Sequence, residues 1–167
     1  MVIETLNLDL PPSKIAEFWA REKARSISIS NINSIVIGAD TIVTSEDNIF
    51  GKPKKKKESI KMLQILSGKT HQVITGVSMN YKKFNIEHTF HNLTQVTFQS
   101  YNKKEILEYV ETEKPFDKAG SYGIQDSFAK HVKSINGCYY NVVGFPLSDF
   151  FYYFKKLCKE IEKYDNC

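Results

Sequence analysis

Between Ser34 and Phe98, short apolar and β-branched runs alternate with turn residues. That spacing restricts the chain to a fold built on a sheet. Ser34–Ile37 reads as a buried strand that Gly38 ends, leaving Asp40 at its C-terminal end. The chain then turns a corner to Ile42-Val43, and Ile49-Phe50 is placed to pair back across the turn Ser45–Asn48. Thr70–Met79, Phe84–Phe90 and Leu93–Phe98 follow as strands, the last two parted by the polar pair His91-Asn92. Successive strands joined this closely predict an antiparallel part to the sheet.

Helical spacing surrounds this middle. Pro11-Pro12-Ser13 punctuates, with Ser13 as expected N-cap, and Lys14–Ser26 carries an inward stripe of Ile15, Ala16, Phe18, Trp19, Ala20 and Ala24, with Glu17, Arg21, Glu22 and Arg25 outside. Lys56–Leu66 buries Ile60, Leu63 and Leu66. Lys103–Glu113 buries Ile106, Leu107, Tyr109 and Val110. Asn136-Gly137 predicts a hairpin between Lys130–Ile135 and Cys138–Val143. Pro146 starts a last helix whose stripe, Leu147, Phe150, Phe151, Phe154, Leu157 and Ile161, reads as core or a subunit contact. A frayed tail, Lys163 to Cys167, follows.

A length of 167 residues with 41% hydrophobic content supports one packed domain. No apolar run approaches the ~20 residues of a membrane span, and the start shows no signal peptide. Cys138, Cys158 and Cys167 lack paired spacing, so a reducing, cytoplasmic setting is the default. Net charge is +4. The run Lys54-Lys55-Lys56-Lys57 lacks interleaved aromatics, so it reads as a solvated helix start or loop rather than a nucleic-acid footprint. It could also raise the local potential for an anionic substrate.

Two stretches carry chemistry. Asp40 at a strand end and Lys52, held between Gly51 and Pro53, suit a metal-bound polyanion: the acid holds a cation or a water, the lysine neutralises phosphate oxygens. A surface Asp and a loop Lys are the plain alternative. The loop Phe116–Gln125 offers Asp117 and Lys118 as adjacent opposite charges, glycines that admit close backbone approach, and a Gln125 amide able to read a base edge. A Gly-bearing surface turn is its alternative. His88-x-x-His91 lacks helical metal spacing and is read as incidental. No Ser-His-Asp, Cys-His or Walker pattern is present.

The segments Gly38-Ala-Asp-Thr-Ile-Val43, Gly51-Lys-Pro53, Leu66-Ser-Gly68-Lys-Thr-His71, Thr75-Gly-Val77, Asp117-Lys-Ala-Gly-Ser-Tyr-Gly-Ile-Gln125 and Asn141-Val-Val-Gly-Phe-Pro-Leu147, in that order, resemble the Maf family from about Ile3 to Leu157. The resemblance implies an inosine-triphosphatase-like α/β fold with a mixed, twisted sheet flanked by helices, often dimeric. It implies a Mg²⁺- or Mn²⁺-dependent nucleoside triphosphate pyrophosphatase that releases a nucleoside monophosphate and pyrophosphate. Position by position, Asp40 matches the catalytic acid. Lys52 and Lys23 match phosphate-stabilising lysines, and Glu4 matches a metal ligand that acts with Asp40. Thr41 and Gln125 match positions of the dTTP/UTP branch, which favours pyrimidine substrates, and Asp117 and Lys118 fall in the substrate loop.

The resemblance departs at one place. Family members open with a strand, a Ser-x-Ser-Pro-Arg-Arg turn and a helix, whereas this sequence opens after that point. Residues 1–167 are therefore expected to form a single domain without the first strand and helix, through a truncated gene model or a short isoform. Two arginines would grip a triphosphate bidentately, which lysines do not replace. Weak or absent catalysis and reduced stability are expected. A nucleotide-binding protein without turnover is the alternative function.

Overall fold

A computed structural model describes residues 10–46 and 48–165. Its centre is a five-stranded sheet in the order β2-β1-β3-β4-β5, with β1 Ile35–Ser45, β2 Asn48–Phe50, β3 Thr70–Tyr81, β4 Ile86–Phe98 and β5 Val132–Asn136. All four pairings are antiparallel, so the expected mixed sheet is not what the described residues form. Helix α1, Pro12–Ser28, covers one face. Helices α2 Lys56–Leu66, α3 Lys103–Glu113, α4 Tyr139–Val143 and α5 Leu147–Asp165 lie on the other.

Side chains of a strand alternate between faces, and β1 uses both. Gly38, Asp40 and Ile42 face α1, while Ala39, Thr41 and Val43 face the four-helix side. The strand does not end at Gly38 as the sequence predicts. It runs on because the glycine answers a close approach rather than a turn. A Cβ at Gly38 would lie 2.3 Å from the Ala20 carbonyl oxygen, and one at Gly76 on β3 would lie 2.4 Å from the Ala16 carbonyl. Ala16, Ala20 and Ala24 are fully buried against this glycine pair. The small face of α1 thus packs backbone to backbone on the sheet, and Asp40 sits mid-strand beneath it. Phe18 and Trp19 are only half-buried.

Glu17, expected outside, is buried in that contact. Its carboxylate bonds Lys14 Nζ at 2.7 Å and His91 Nδ1 at 2.6 Å. This also explains why β4 is continuous across His91-Asn92, where a break was expected. On the opposite face the Asn92 amide donates to Asp149 Oδ2 of α5 at 2.6 Å. Both polar residues therefore find partners on the helices that flank the sheet, and the ladder with β3 is unbroken. Ser13 makes no capping bond; Pro12 opens α1 after Pro11, a position suited to its fixed φ.

The main core joins Val43, Val73, Val96 and Phe98 of the sheet to Leu63 and Leu66 of α2 and to Ile106, Tyr109 and Val110 of α3. Leu107 is exposed rather than buried. A second cluster packs Val77, Met79 and Phe90 against Leu157 and the half-buried Phe150, Phe154 and Ile161 of α5. Leu147 and Phe151 stay exposed, so the predicted stripe is only partly core. The expected tail is helical as far as Asp165. Lys54–Lys57 is the exposed approach to and first turn of α2, as read from the sequence.

The predicted second hairpin does not form. Cys138–Val143 is not a strand: after β5 the chain turns at Gly137 (φ 130°) and enters α4, which crosses over β3 and β4. Thr94 holds that turn, its hydroxyl accepting from Cys138 N at 3.0 Å and donating to Cys138 O at 3.1 Å. The buried Asn141 amide donates to Val73 O at 2.9 Å and to Thr94 Oγ1 at 3.0 Å. Among the described residues no helix is long and apolar enough to cross a membrane.

Candidate active site

A cleft of about 460 Å³ opens where β1, the Gly51–Pro53 turn, the 117–126 loop and the end of α4 meet. Its walls carry Lys23, Asp40, Thr41, Lys52, Asp117, Lys118 and Gln125 together with Val43, Val73, Tyr122 and Gly144. Seven of the eight residues singled out from the sequence therefore converge. The eighth, Glu4, lies outside the described residues.

Asp40 reaches the cleft from the α1 face of β1. Lys23, near the end of α1, places Nζ 2.5 Å from Asp40 Oδ1 and 3.2 Å from the Ala39 carbonyl oxygen. The half-exposed ammonium is thereby tethered to both a side chain and the strand backbone. The glycine–alanine contact of α1 with β1 and β3 sets that separation, so fold and charge geometry are coupled.

Lys52 enters from the turn after β2. The buried Pro53 anchors that turn, and Gly51 O accepts from Gly120 N at 3.2 Å, tying it to the opposite loop. Asp117 lies with Lys118 Nζ 3.0 Å away. That bond holds its carboxyl below the usual carboxylate range, and the Lys52 charge adds to the effect. The cleft thus gathers three cations, Lys23, Lys52 and Lys118, against carboxylates that include Asp40 and Asp117.

The 117–126 loop is held rigidly. Ser59 and Ser121, both fully buried, share a 2.5 Å hydrogen bond. Tyr109 OH donates to Asp126 Oδ2 at 2.9 Å and accepts from Gly123 N at 3.1 Å. Burial and the neighbouring Asp126 carboxylate push the Tyr109 phenol far above its ordinary value, so it stays protonated as the donor. Tyr122 OH meets His71 Nε2 at 2.8 Å in the core below. Burial lowers the His71 pKa to about 4, so that imidazole is neutral.

Thr41 reaches the cleft from the other face of β1, its hydroxyl 2.9 Å from Thr75 Oγ1. Thr75 donates in turn to the Asn141 carbonyl oxygen at 2.9 Å. These supporting residues were not singled out from the sequence. Thr75 and Asn141 lay inside recognisable segments, but only the sheet register and the helical turn at α4 bring them together.

Among the described residues no group of three or more His, Cys, Asp or Glu forms a cation cage. Asp40 on the cleft wall is nonetheless a donor suited to a hard cation such as Mg²⁺, which takes one or two carboxylates and completes its shell with water and substrate phosphates.

Comparison with known proteins follows the same residues. The family described as Maf-like protein matches residues 2–157. A protein of Bacillus pumilus (strain SAFR-032) named dTTP/UTP pyrophosphatase is 48% identical over 145 residues, which is 87% of this chain and 76% of that protein. One of the same name from Bacillus cereus (strain ATCC 14579) is 44% identical over 164 residues, 98% of this chain and 81% of its own length. Another from Bacillus cytotoxicus is 43% identical over 165 residues, 99% and 82% respectively.

Proposed function

Because the chain belongs to the Maf family, we propose that it hydrolyses dTTP, UTP and modified pyrimidine nucleoside triphosphates to the nucleoside monophosphate and pyrophosphate. Water attacks the α-phosphorus, a new P–O bond forms, and the bond to the bridging α–β oxygen breaks, with pyrophosphate as leaving group. Asp40 takes the proton of the attacking water. A positioned base of this kind contributes roughly 10²–10⁴ in rate. Lys23 orients the carboxylate through the 2.5 Å contact and adds positive charge beside the reacting phosphate. Lys52 and Lys118 neutralise phosphate oxygens, which matters most as charge shifts towards the leaving group. Thr41 and Gln125 face the base, and Asp117 keeps Lys118 aimed.

Asp40, with Glu4, would hold a Mg²⁺ or Mn²⁺ ion whose chemistry is to neutralise triphosphate oxygens and lower the charge barrier to attack. The observation that carries the reading is the meeting of the Asp40 carboxylate with three lysines in a cleft whose wall also bears Thr41 and Gln125. Pyrophosphate and monophosphate are the expected products in an assay with UTP or dTTP and Mg²⁺, and Asp40→Asn abolishes both. Release of single phosphates instead would overturn the reaction.

One observation favours a second reading, a nucleotide binder without turnover. Every cation of the described cleft wall is a lysine, and lysines grip phosphate as point charges rather than bidentately. That reading expects thermal stabilisation by UTP with no pyrophosphate released.

A further inference from the structure

We propose that Thr75 and Asn141 fix the Thr41 hydroxyl as a hydrogen-bond acceptor towards the cleft, and that this polarity selects uracil and thymine over cytosine. The proposal rests on the reading that the cleft binds pyrimidine nucleotides.

The argument is a count of protons. A threonine hydroxyl carries one hydrogen and a carbonyl oxygen carries none. Thr75 Oγ1 lies 2.9 Å from the Asn141 carbonyl oxygen and 2.9 Å from Thr41 Oγ1. Thr75 must give its single hydrogen to the carbonyl, since two facing acceptors would otherwise be buried together. Thr41 must then give its own hydrogen to Thr75. Thr75 and Asn141 are fully buried, so no solvent exchange can reverse the order.

The far end of the chain is locked as well. The Asn141 carbonyl takes a second bond from Gly144 N at 3.0 Å. The Asn141 amide is held by Val73 O and Thr94 Oγ1. Only lone pairs remain on Thr41 Oγ1 where it lines the cleft.

Uracil and thymine carry N3–H, a donor between two carbonyls, whereas N3 of cytosine is an acceptor. Gln125 can turn its amide to suit either edge, so it does not separate the two. Thr41 cannot turn, because its proton is committed on the buried side. A cytosine N3 set against it would leave two acceptors facing each other in a partly desolvated site, a mismatch that polar sites reject strongly.

The test is calorimetric binding of the non-hydrolysable α,β-methylene analogues of UTP and CTP to the full chain with Mg²⁺. The wild-type protein is expected to favour the uridine analogue by about tenfold or more. Thr75→Val keeps the shape but releases the Thr41 proton to face the ligand, and the preference falls to within about threefold. Thr75→Ser retains the proton order and the preference. Thr41→Val also removes the preference, and it decides the matter should Thr75→Val not fold. The proposal is overturned if the wild-type protein binds neither analogue or both equally. It is equally overturned if Thr75→Val or Thr41→Val keeps the full preference. Selective uridine binding without pyrophosphate release from UTP would support it while overturning the turnover reading.

Discussion

Gly38→Ala should damage the active site from a distance through the packing of one helix. The added Cβ would lie 2.3 Å from the Ala20 carbonyl oxygen and 2.7 Å from Ala24 N, both backbone atoms of α1 that cannot rotate away. Restoring an ordinary contact, near 3.5 Å, requires the helix to recede by about 1 Å. Overpacking of this kind costs about 1–3 kcal/mol. Reduced freedom of the unfolded chain returns about 0.4–1 kcal/mol. The net loss of about 1–2 kcal/mol corresponds to a Tm lower by roughly 2–8 °C for a domain of this size. Lys23 rides on the same helix, so its 2.5 Å contact with Asp40 lengthens to about 3.5 Å, where a hydrogen bond is lost. A displacement of ~1 Å at a reacting group can cost about a hundredfold in rate. Activity should therefore fall far more than stability. Urea unfolding and pyrophosphate release, measured on the same preparation, read the two effects. Gly51→Ala, whose Cβ meets nothing within 4 Å, is the control and should unfold within about 0.5 kcal/mol of wild type. A Gly38→Ala protein of unchanged stability and undiminished turnover would refute the coupling of α1 packing to the Lys23–Asp40 geometry.

Two further outcomes follow from buried polar groups. His71 has its pKa lowered to about 4 by burial, against an ordinary 6.5. Below pH 6.5 the unfolded chain binds a proton that the folded one refuses, so the contribution is intact above that pH and is lost as pH falls towards 4. The linkage amounts to about 2 kcal/mol by pH 5 and about 3 by pH 4. Urea midpoints should fall accordingly in wild type and much less in His71→Gln; equal slopes in both would remove His71 from the account. Tyr109→Phe leaves the Gly123 N–H and Asp126 Oδ2 without their partner. A cost of about 1–3 kcal/mol and a raised KM for UTP are expected, and unchanged values of both would show that this hydroxyl does not hold the substrate loop.

Local pattern identified much of this protein. The bounds of α2 and α3 coincide with those read from apolar spacing, because each helix buries one stripe with a period that its own residues encode. Residues of the candidate site were readable for a related reason. Gly51-Lys52-Pro53 and the glycine-bearing loop around Asp117 are short segments whose unusual composition has little other use.

What sequence spacing misassigned shares one cause, partners far away in the chain. Gly38 looked like a strand end, but it is the hollow that receives Ala20 and Ala24. His91-Asn92 looked like a break until carboxylates on α1 and α5 satisfied it. Cys138–Val143 had the apolar content of a strand, yet Thr94 and the Asn141 side chain bend it into a helix.

The sequence by itself determined the family, the chemistry of the charged residues and the helical stripes, since each resides in a few consecutive side chains. The tertiary structure alone decided that Lys23 meets Asp40 and that Thr41 must hand its proton inward. Those facts depend on contacts of 2.5 and 2.9 Å between segments 17 to 100 residues apart in the chain. Packing against glycine and the one-hydrogen limit of a hydroxyl set them, and neither acts until the chain has folded.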